Sequence, residues 1–244
     1  MLAIKSNSLI QVWDCKPLLD KFKNYSYTNQ DKANEAFDKQ NKPMQEYEFQ
    51  IEGASPQATC GCWLPTDNTL FAVGFDSSHL ALFNYQTANI VHALQIDTSG
   101  KSAITCVVAH GLMPLLICGH LNGLVSIYDQ KKQEVVFRLE GESVVQNIEF
   151  INNCMGLLVA RGDGSVSLFT LNNNQLTKTF EKKNFHLSSN HSSVTALASI
   201  SDSQPNQGEE GKQEKLPFFA TGGIDGGIYI YEVVNNKIDD DDQN

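Results

Sequence analysis

Short apolar runs alternate with turn-prone polar residues along most of the chain, and Pro114–Gly141 shows the unit of that alternation. An apolar run, Leu115–Cys118, meets a turn at Asn122-Gly123, a dipeptide suited to the positive φ of a tight hairpin. A strand follows with Val125 and Ile127 on one face and Tyr128 on the other. A second polar turn, Asp129–Gln133, leads into an outer strand at Glu134–Leu139.

Anchored on the aromatic that ends the third strand, the same offsets recur at Trp13, Phe83, Tyr128, Phe169 and Tyr231. Six and five residues earlier stand Asn7-Ser8, Ser77-Ser78, Asn122-Gly123, Asp163-Gly164 and Asp225-Gly226, all tolerant of a tight turn. Three and one residues earlier come Ile10/Val12, Leu80/Leu82, Val125/Ile127, Val166/Leu168 and Ile228/Ile230. The aromatics are spaced 70, 45, 41 and 62 residues apart. A period of 41–45 residues holding about four short strands predicts an all-β propeller, whose blades bury their faces only by stacking on neighbours. The two longer intervals are then blades carrying insertions.

Residues 1–22 hold a partial first blade, with strands at Met1–Ile4 and Leu9–Trp13 and nothing upstream to supply an innermost strand. Residues 23–46 are an Asn-, Gln-, Lys- and Asp-rich insertion with one helical turn expected around Ala33–Phe37, and order resumes near Tyr47–Ile51. Blade strands fill 47–234: Ala58–Leu64, Leu70–Phe75, Leu80–Tyr85 and Asn89–Gln95; then Ile104–His110, Leu115–Gly119, Leu124–Tyr128 and Glu134–Leu139. The next blade takes Val145–Phe150, Leu157–Ala160, Ser165–Leu171 and Leu176–Phe180. The last has Val194–Ile200, Pro217–Gly223 and Gly227–Val233, broken by a low-complexity polar insertion over 201–216. An acidic tail expected to be disordered, 235–244, stands where an outer strand would lie. About five blades in an incomplete or open ring are expected, the rest coming from another chain or an upstream part of a longer product. Lys23–Lys42 and Ser201–Lys215 are the expected first sites of limited proteolysis.

With 41% hydrophobic and 19% charged residues the chain can bury a core. A net charge of −10 argues against nucleic-acid binding, which needs clustered Lys and Arg. No apolar run reaches the roughly 18–20 residues that cross a bilayer, and Met1–Lys5 lacks the apolar core of a signal peptide, so a cytoplasmic protein without membrane insertion is expected. Six scattered cysteines include the pair Cys60 and Cys62 on one strand face, with no second pair at zinc spacing, and read as buried reduced thiols. Arg161-Gly162-Asp163 falls in the turn register of the repeat, and the glycines of Gly222–Gly227 join two strands without opening a helix, so neither an integrin motif nor a phosphate cradle is indicated. No histidine shares a nucleophile motif with Ser or Cys, and no cofactor is expected.

The segments GHLNGLVSIYD, ARGDGSVSLFT and TGGIDGGIYIYEV resemble WD-repeat strands. The resemblance implies a hydrogen-bonded tetrad, nearly complete only in the last blade as His191, Thr221, Asp225 and Tyr231. Elsewhere it is eroded to turn residues such as Asn122 and Asp163, the latter facing Val159 where a hydroxyl would stand. Within WD-repeat proteins, residues 58–233 are similar to the carboxy-terminal propeller of the striatin family, through LALFNYQTANIVHALQ followed by ITCVVAHGLMPLLICGHLNGLVSIYD and a final blade near the chain end. That resemblance implies protein partners, with subunits of a protein phosphatase 2A assembly among them, although the coiled coil by which striatins bind the phosphatase scaffold is not in this sequence.

The residue eight before each aromatic is expected to rim the central channel: Lys5, Phe75, His120, Arg161 and Gly223. The set has no carboxylate and no metal ligands beyond one histidine. It suits peptide recognition, with Arg161 for an acidic or phosphorylated group, Phe75 for an apolar one and His120 between them. A non-catalytic interaction scaffold is the resulting expectation. The alternatives are a WD40 subunit of some other complex and an enzyme with a channel site.

Overall fold

Four of the turn pairs close hairpins: Gly123, Gly164 and Gly226 take φ of 90°, 80° and 76°, and Ser78 occupies the same place at 65° without a glycine, while Asn7-Ser8 lies outside the described residues. The hairpins build the strands of a computed structural model that describes residues 2–4, 9–14, 16, 43–51, 55–98, 101–151, 154–183, 185–188, 191–200, 218–234 and 237–238.

Strands β1 (Leu2–Ile4), β2 (Leu9–Val12) and β3 (Gln45–Glu48) form a three-stranded antiparallel sheet. Four four-stranded antiparallel sheets follow. The second holds β4 (Ala58–Trp63), β5 (Leu70–Phe75), β6 (His79–Asn84) and β7 (Asn89–Gln95); the third holds β8 (Ile104–Ala109), β9 (Leu115–His120), β10 (Val125–Asp129) and β11 (Glu134–Leu139). The fourth holds β12 (Val145–Ile151), β13 (Gly156–Arg161), β14 (Val166–Asn172) and β15 (Gln175–Lys182). A two-stranded ladder, β16 (Leu187–Ser188) with β17 (His191–Ser192), precedes the last sheet of β18 (Val194–Ile200), β19 (Phe218–Gly223), β20 (Ile228–Val234) and β21 (Lys237–Ile238).

Two expectations are corrected. Gln45–Glu48 pairs with Leu9–Val12 as the outer strand of the first blade, because Tyr47 alternates inward between Glu46 and Glu48. The last blade also has a short outer strand, Lys237–Ile238, paired with Val233–Val234. The expected helical turn at 33–37, the polar insertion at 201–216 and the acidic run at 239–242 lie outside the described residues.

Every complete blade carries the same irregularity near the start of its first strand, a bulge between Ala58 and Cys60, Ile104 and Cys106, Val145 and Asn147, and Val194 and Ala196. In two blades the skipped residue is a threonine bonded to the next blade: Thr59 Oγ1 donates to Ile104 O at 2.5 Å and Thr105 Oγ1 to Val145 O at 2.5 Å. Glycines let these strands approach. A Cβ on Gly74 would come within 2.6 Å of Ile104 Cγ2, and one on Gly119 would run into Val145.

Four apolar cores lie between successive sheets. The first is aromatic, with Tyr47, Phe49, Phe71, Phe75 and Phe83 all buried and Phe71 stacked on Phe83 at 5.1 Å. The others are mostly aliphatic, such as Leu80 and Leu82 with Ile104, Val125 and Ile127 with Val145, and Val166 and Leu168 with Val194. First strands of neighbouring sheets meet, β4 with β8, β8 with β12 and β12 with β18; among the described residues no comparable contact joins the last sheet to the first.

Candidate functional site

Phe75, His120, Arg161 and Gly223 each end the second strand of their blade, the position from which a channel-facing side chain was expected. The structure turns the first three inward instead. Phe75 is fully buried and tilts against Phe49 with ring centroids 4.4 Å apart. His120 is fully buried, with Nε2 3.0 Å from Ser126 Oγ and Nδ1 3.4 Å from Ser102 O. Burial lowers the His120 pKa, against the opposing effects of the Ser102 carbonyl and Asp97.

Arg161 is buried at 7% exposure, and Nη1 donates to Gly123 O at 2.9 Å and Ser143 O at 2.8 Å. The guanidinium therefore staples the turn and the outgoing loop of the preceding blade, and it fills the space a Cβ on Gly141 would need. All three side chains are buried and engaged within the protein. Phe75 and Arg161 are covered by the preceding blade, through Phe49 and through the Gly123 and Ser143 carbonyls, and His120 is closed in by Ser102 and Ser126 of its own blade; sequence offsets within one strand register neither.

Asn122 Oδ1 accepts from Leu124 N at 3.1 Å, and its Nδ2 donates to Asp97 Oδ2 at 3.2 Å. Asp163 Oδ1 accepts from the amide and hydroxyl of Ser165 at 2.9 and 2.7 Å. Burial pushes the Asp163 carboxyl up, but Ser165 and nearby Arg161 outweigh it and hold the group below its usual value.

In the last blade the tetrad histidine is His186. Its Nδ1 lies 2.8 Å from Asp225 Oδ1 and its Nε2 2.9 Å from Thr221 Oγ1, with the ring fully buried. Asp225 also accepts from Gly227 N at 2.9 Å; the Gly227 amide and then His186 hold its carboxyl below the usual range. Tyr231 packs between Phe185 at 4.7 Å and Phe219 at 5.3 Å. His191 belongs to the ladder strand β17, five residues too late, because the hairpin formed by β16 and β17 is inserted between the tetrad histidine and the first strand. In the third blade the corresponding pair is Asp97 with Asn122, an acid and an amide where the last blade has histidine and acid.

Cys60, Cys62 and Cys118 lie in the core between the second and third blades and Cys106 in the core between the third and fourth, and burial pushes the thiols of Cys60, Cys62 and Cys106 up to about 11, 12 and 12 and Cys118 well above its ordinary value. Thiols held protonated in this way are poor nucleophiles and poor metal ligands. Among the described residues no group of three or more His, Cys, Asp or Glu converges to hold a metal, and no helix is long and apolar enough to cross a membrane.

Exposed apolar side chains occur as the neighbours Ile90 and Val91 and Leu112 and Met113 and singly at Met44, Leu121 and Met155, and the last blade carries Phe218, Ile224, Ile228, Tyr229 and Ile230. Sequence periodicity assigned Ile228 and Ile230 to a stacked face, and the expected open ring leaves such a face uncovered at its end.

No family model matches the sequence, and no curated protein does. Among solved structures, the crystal structure of Saccharomyces cerevisiae Sqt1 is similar, with a TM-score of 0.69 at 17% identity, over 96% of this chain and 55% of that one. The chain thus spans about half the length of the protein it superposes on. The likeness is one of fold: the sheets are WD40-type propeller blades.

Proposed function

We propose that the chain is a non-catalytic scaffold of WD40-type blades that mediates protein–protein interaction, as an adaptor in a phosphatase 2A assembly of the striatin kind. The observation that supports the scaffold role is the use of the candidate ionisable residues. His120, Arg161, Asp163, His186 and Asp225 are committed to bonds that hold turns and blades together, while the last blade presents grouped apolar side chains to solvent. The phosphatase setting is supported by the sequence similarity of residues 58–233 to striatin propellers. The action is placed in the cytoplasm, where a reducing environment suits the five free cysteines among the described residues.

The test is affinity purification of the full chain from its native cells with mass spectrometry of what is retained. Stoichiometric phosphatase 2A subunits are expected. A different stable assembly replaces the phosphatase setting and keeps the scaffold; a chain recovered alone removes both.

A further inference from the structure

The loop that joins the first two strands of the third blade, Gly111–Pro114, is held by side chains of two blades. Gly111 N donates to Cys154 Sγ at 3.3 Å, and Leu112 N and Met113 N both donate to His110 Nδ1 at 3.0 Å. Residue 114 is proline and has no amide to hold. Backbone pairing closes only the base, from His110 N to Leu115 O at 3.0 Å and from Leu115 N to Met113 O at 2.8 Å. The matching loop of the second blade is closed differently. There Asp67 N donates to Leu64 O, Leu70 N donates to Asp67 O, and the Asp67 carboxylate accepts the amide and hydroxyl of Thr69, which lower its pKa.

An imidazole nitrogen that accepts two amide hydrogens carries no proton, so His110 is the neutral tautomer protonated on Nε2. The ring is 4% exposed, lies edge-on to Phe150 with centroids 5.1 Å apart and bonds the Cys154 backbone. Burial lowers its pKa and the Cys154 bond raises it; neither effect is a charge. The titratable groups on the elements packed around it are engaged elsewhere. Cys106, Cys118 and His120 lie toward the other end of β8 and β9, and Glu149 Oε1 accepts the Ser199 hydroxyl at 3.1 Å. Asp129 Oδ1 accepts the amides of the exposed Lys131 and Lys132, with Glu134 opposite, in the turn whose Gln130 N donates to Pro114 O.

We propose that His110 is a pH-sensitive latch on this loop. When a solvent proton bonds to the Nδ1 lone pair, that nitrogen becomes an N–H donor facing two other N–H groups. The ring gains a positive charge, and the amides of Leu112 and Met113 turn to water. The loop then opens about its base while the blade stays folded. What the latch governs is a surface feature: Leu112 is 77% and Met113 36% exposed, beside the loop that carries Cys154 and the 67% exposed Met155. Neutral His110 holds the first two apolar tips in one arrangement, and protonated His110 frees them. The latch is independent of which partner the scaffold takes. Burial holds the closed-loop pKa below the ordinary value of about 6.5, whereas opening returns the ring to water, so opening is favoured about tenfold more at pH about 5.5 than at about 7.5.

The test is hydrogen exchange, read by NMR as amide protection factors in the full chain at pH about 7.5 and about 5.5, with the Thr69 amide as internal control. Protection is expected to drop about fivefold or more at Leu112 and Met113 and less than about twofold at Thr69. His110→Asn places a non-titrating amide oxygen where Nδ1 stands, so protection at Leu112 and Met113 should no longer depend on pH. Because that variant leaves a gap beside Phe150, NMR titration of His110 in the parent is the second measurement, with a midpoint below about 6.5 expected. The latch is overturned by protection at Leu112 and Met113 that does not fall with pH, that falls equally at Thr69, or that falls as steeply in folded His110→Asn. A His110 midpoint at or above about 6.5 overturns it too.

Discussion

His186 Nδ1 lies 2.8 Å from Asp225 Oδ1, tying a residue that precedes the last blade to the turn between its second and third strands. Its other nitrogen meets the buried hydroxyl of Thr221. His186→Ala removes a buried ring and orphans that hydroxyl, an expected loss of about 2 kcal/mol. His191→Ala is expected to change stability by less than about 0.5 kcal/mol, since the site beside Asp225 is already filled. Denaturant midpoints of the two variants check the assignment; equal losses would count against it.

Arg161 joins two blades through the carbonyls of Gly123 and Ser143. Arg161→Met keeps the apolar stem and leaves both carbonyls without their donor, with an expected cost of about 2–4 kcal/mol. Arg161→Lys rescues only part of it, because one ammonium on a flexible stem does not reproduce the planar fork. A variant that melts like the parent but loses affinity for a partner would return Arg161 to the binding surface.

The blade register was legible because it is local chemistry. Asn122-Gly123, Asp163-Gly164 and Asp225-Gly226 fix the hairpins through their own backbone, and the aromatic that follows fixes which face is which. The burial of Arg161 was not legible. Whether an arginine at a strand end faces the channel or folds under the neighbouring blade depends on where Gly141–Ser143 passes, some 20 residues away in sequence. His186 was missed because a hairpin separates it from the strand that it braces. The interblade threonines could have been found: Ala58-Thr59-Cys60, Ile104-Thr105-Cys106 and Val194-Thr195-Ala196 repeat one pattern at one register.

Stability is expected to fall on mild acidification. Burial lowers the pKa of His120 and of His110, the latter opposed in part by a bond with Cys154. Below the ordinary histidine value of about 6.5 the unfolded chain takes up protons that the folded chain resists, so the unfolded state gains. The slope reaches at most about 1.4 kcal/mol per pH unit for each such group. His120→Gln keeps a partner for Ser126 and does not titrate, so its midpoint should depend less on pH between about 6.5 and 5. An unchanged slope would show that His120 protonates freely in the folded protein.

The two ends of the blade series should respond differently to one added methyl group. At Gly119 a Cβ would run into Val145 of the next blade and come within 2.6 Å of Cys106 Sγ, both buried, so Gly119→Ala is expected to cost about 1–3 kcal/mol through overpacking. At Gly222 the same methyl group meets, among the described residues, only Ala196 at an ordinary 3.5 Å, and neither glycine has the positive φ that would strain an alanine. Gly222→Ala should therefore leave the purified chain as stable as the parent, or up to about 1 kcal/mol more stable through a stiffer unfolded chain. Melting of the two variants side by side decides the matter. A loss at Gly222 as large as that at Gly119 would mean that something already lies over the notch of the last blade.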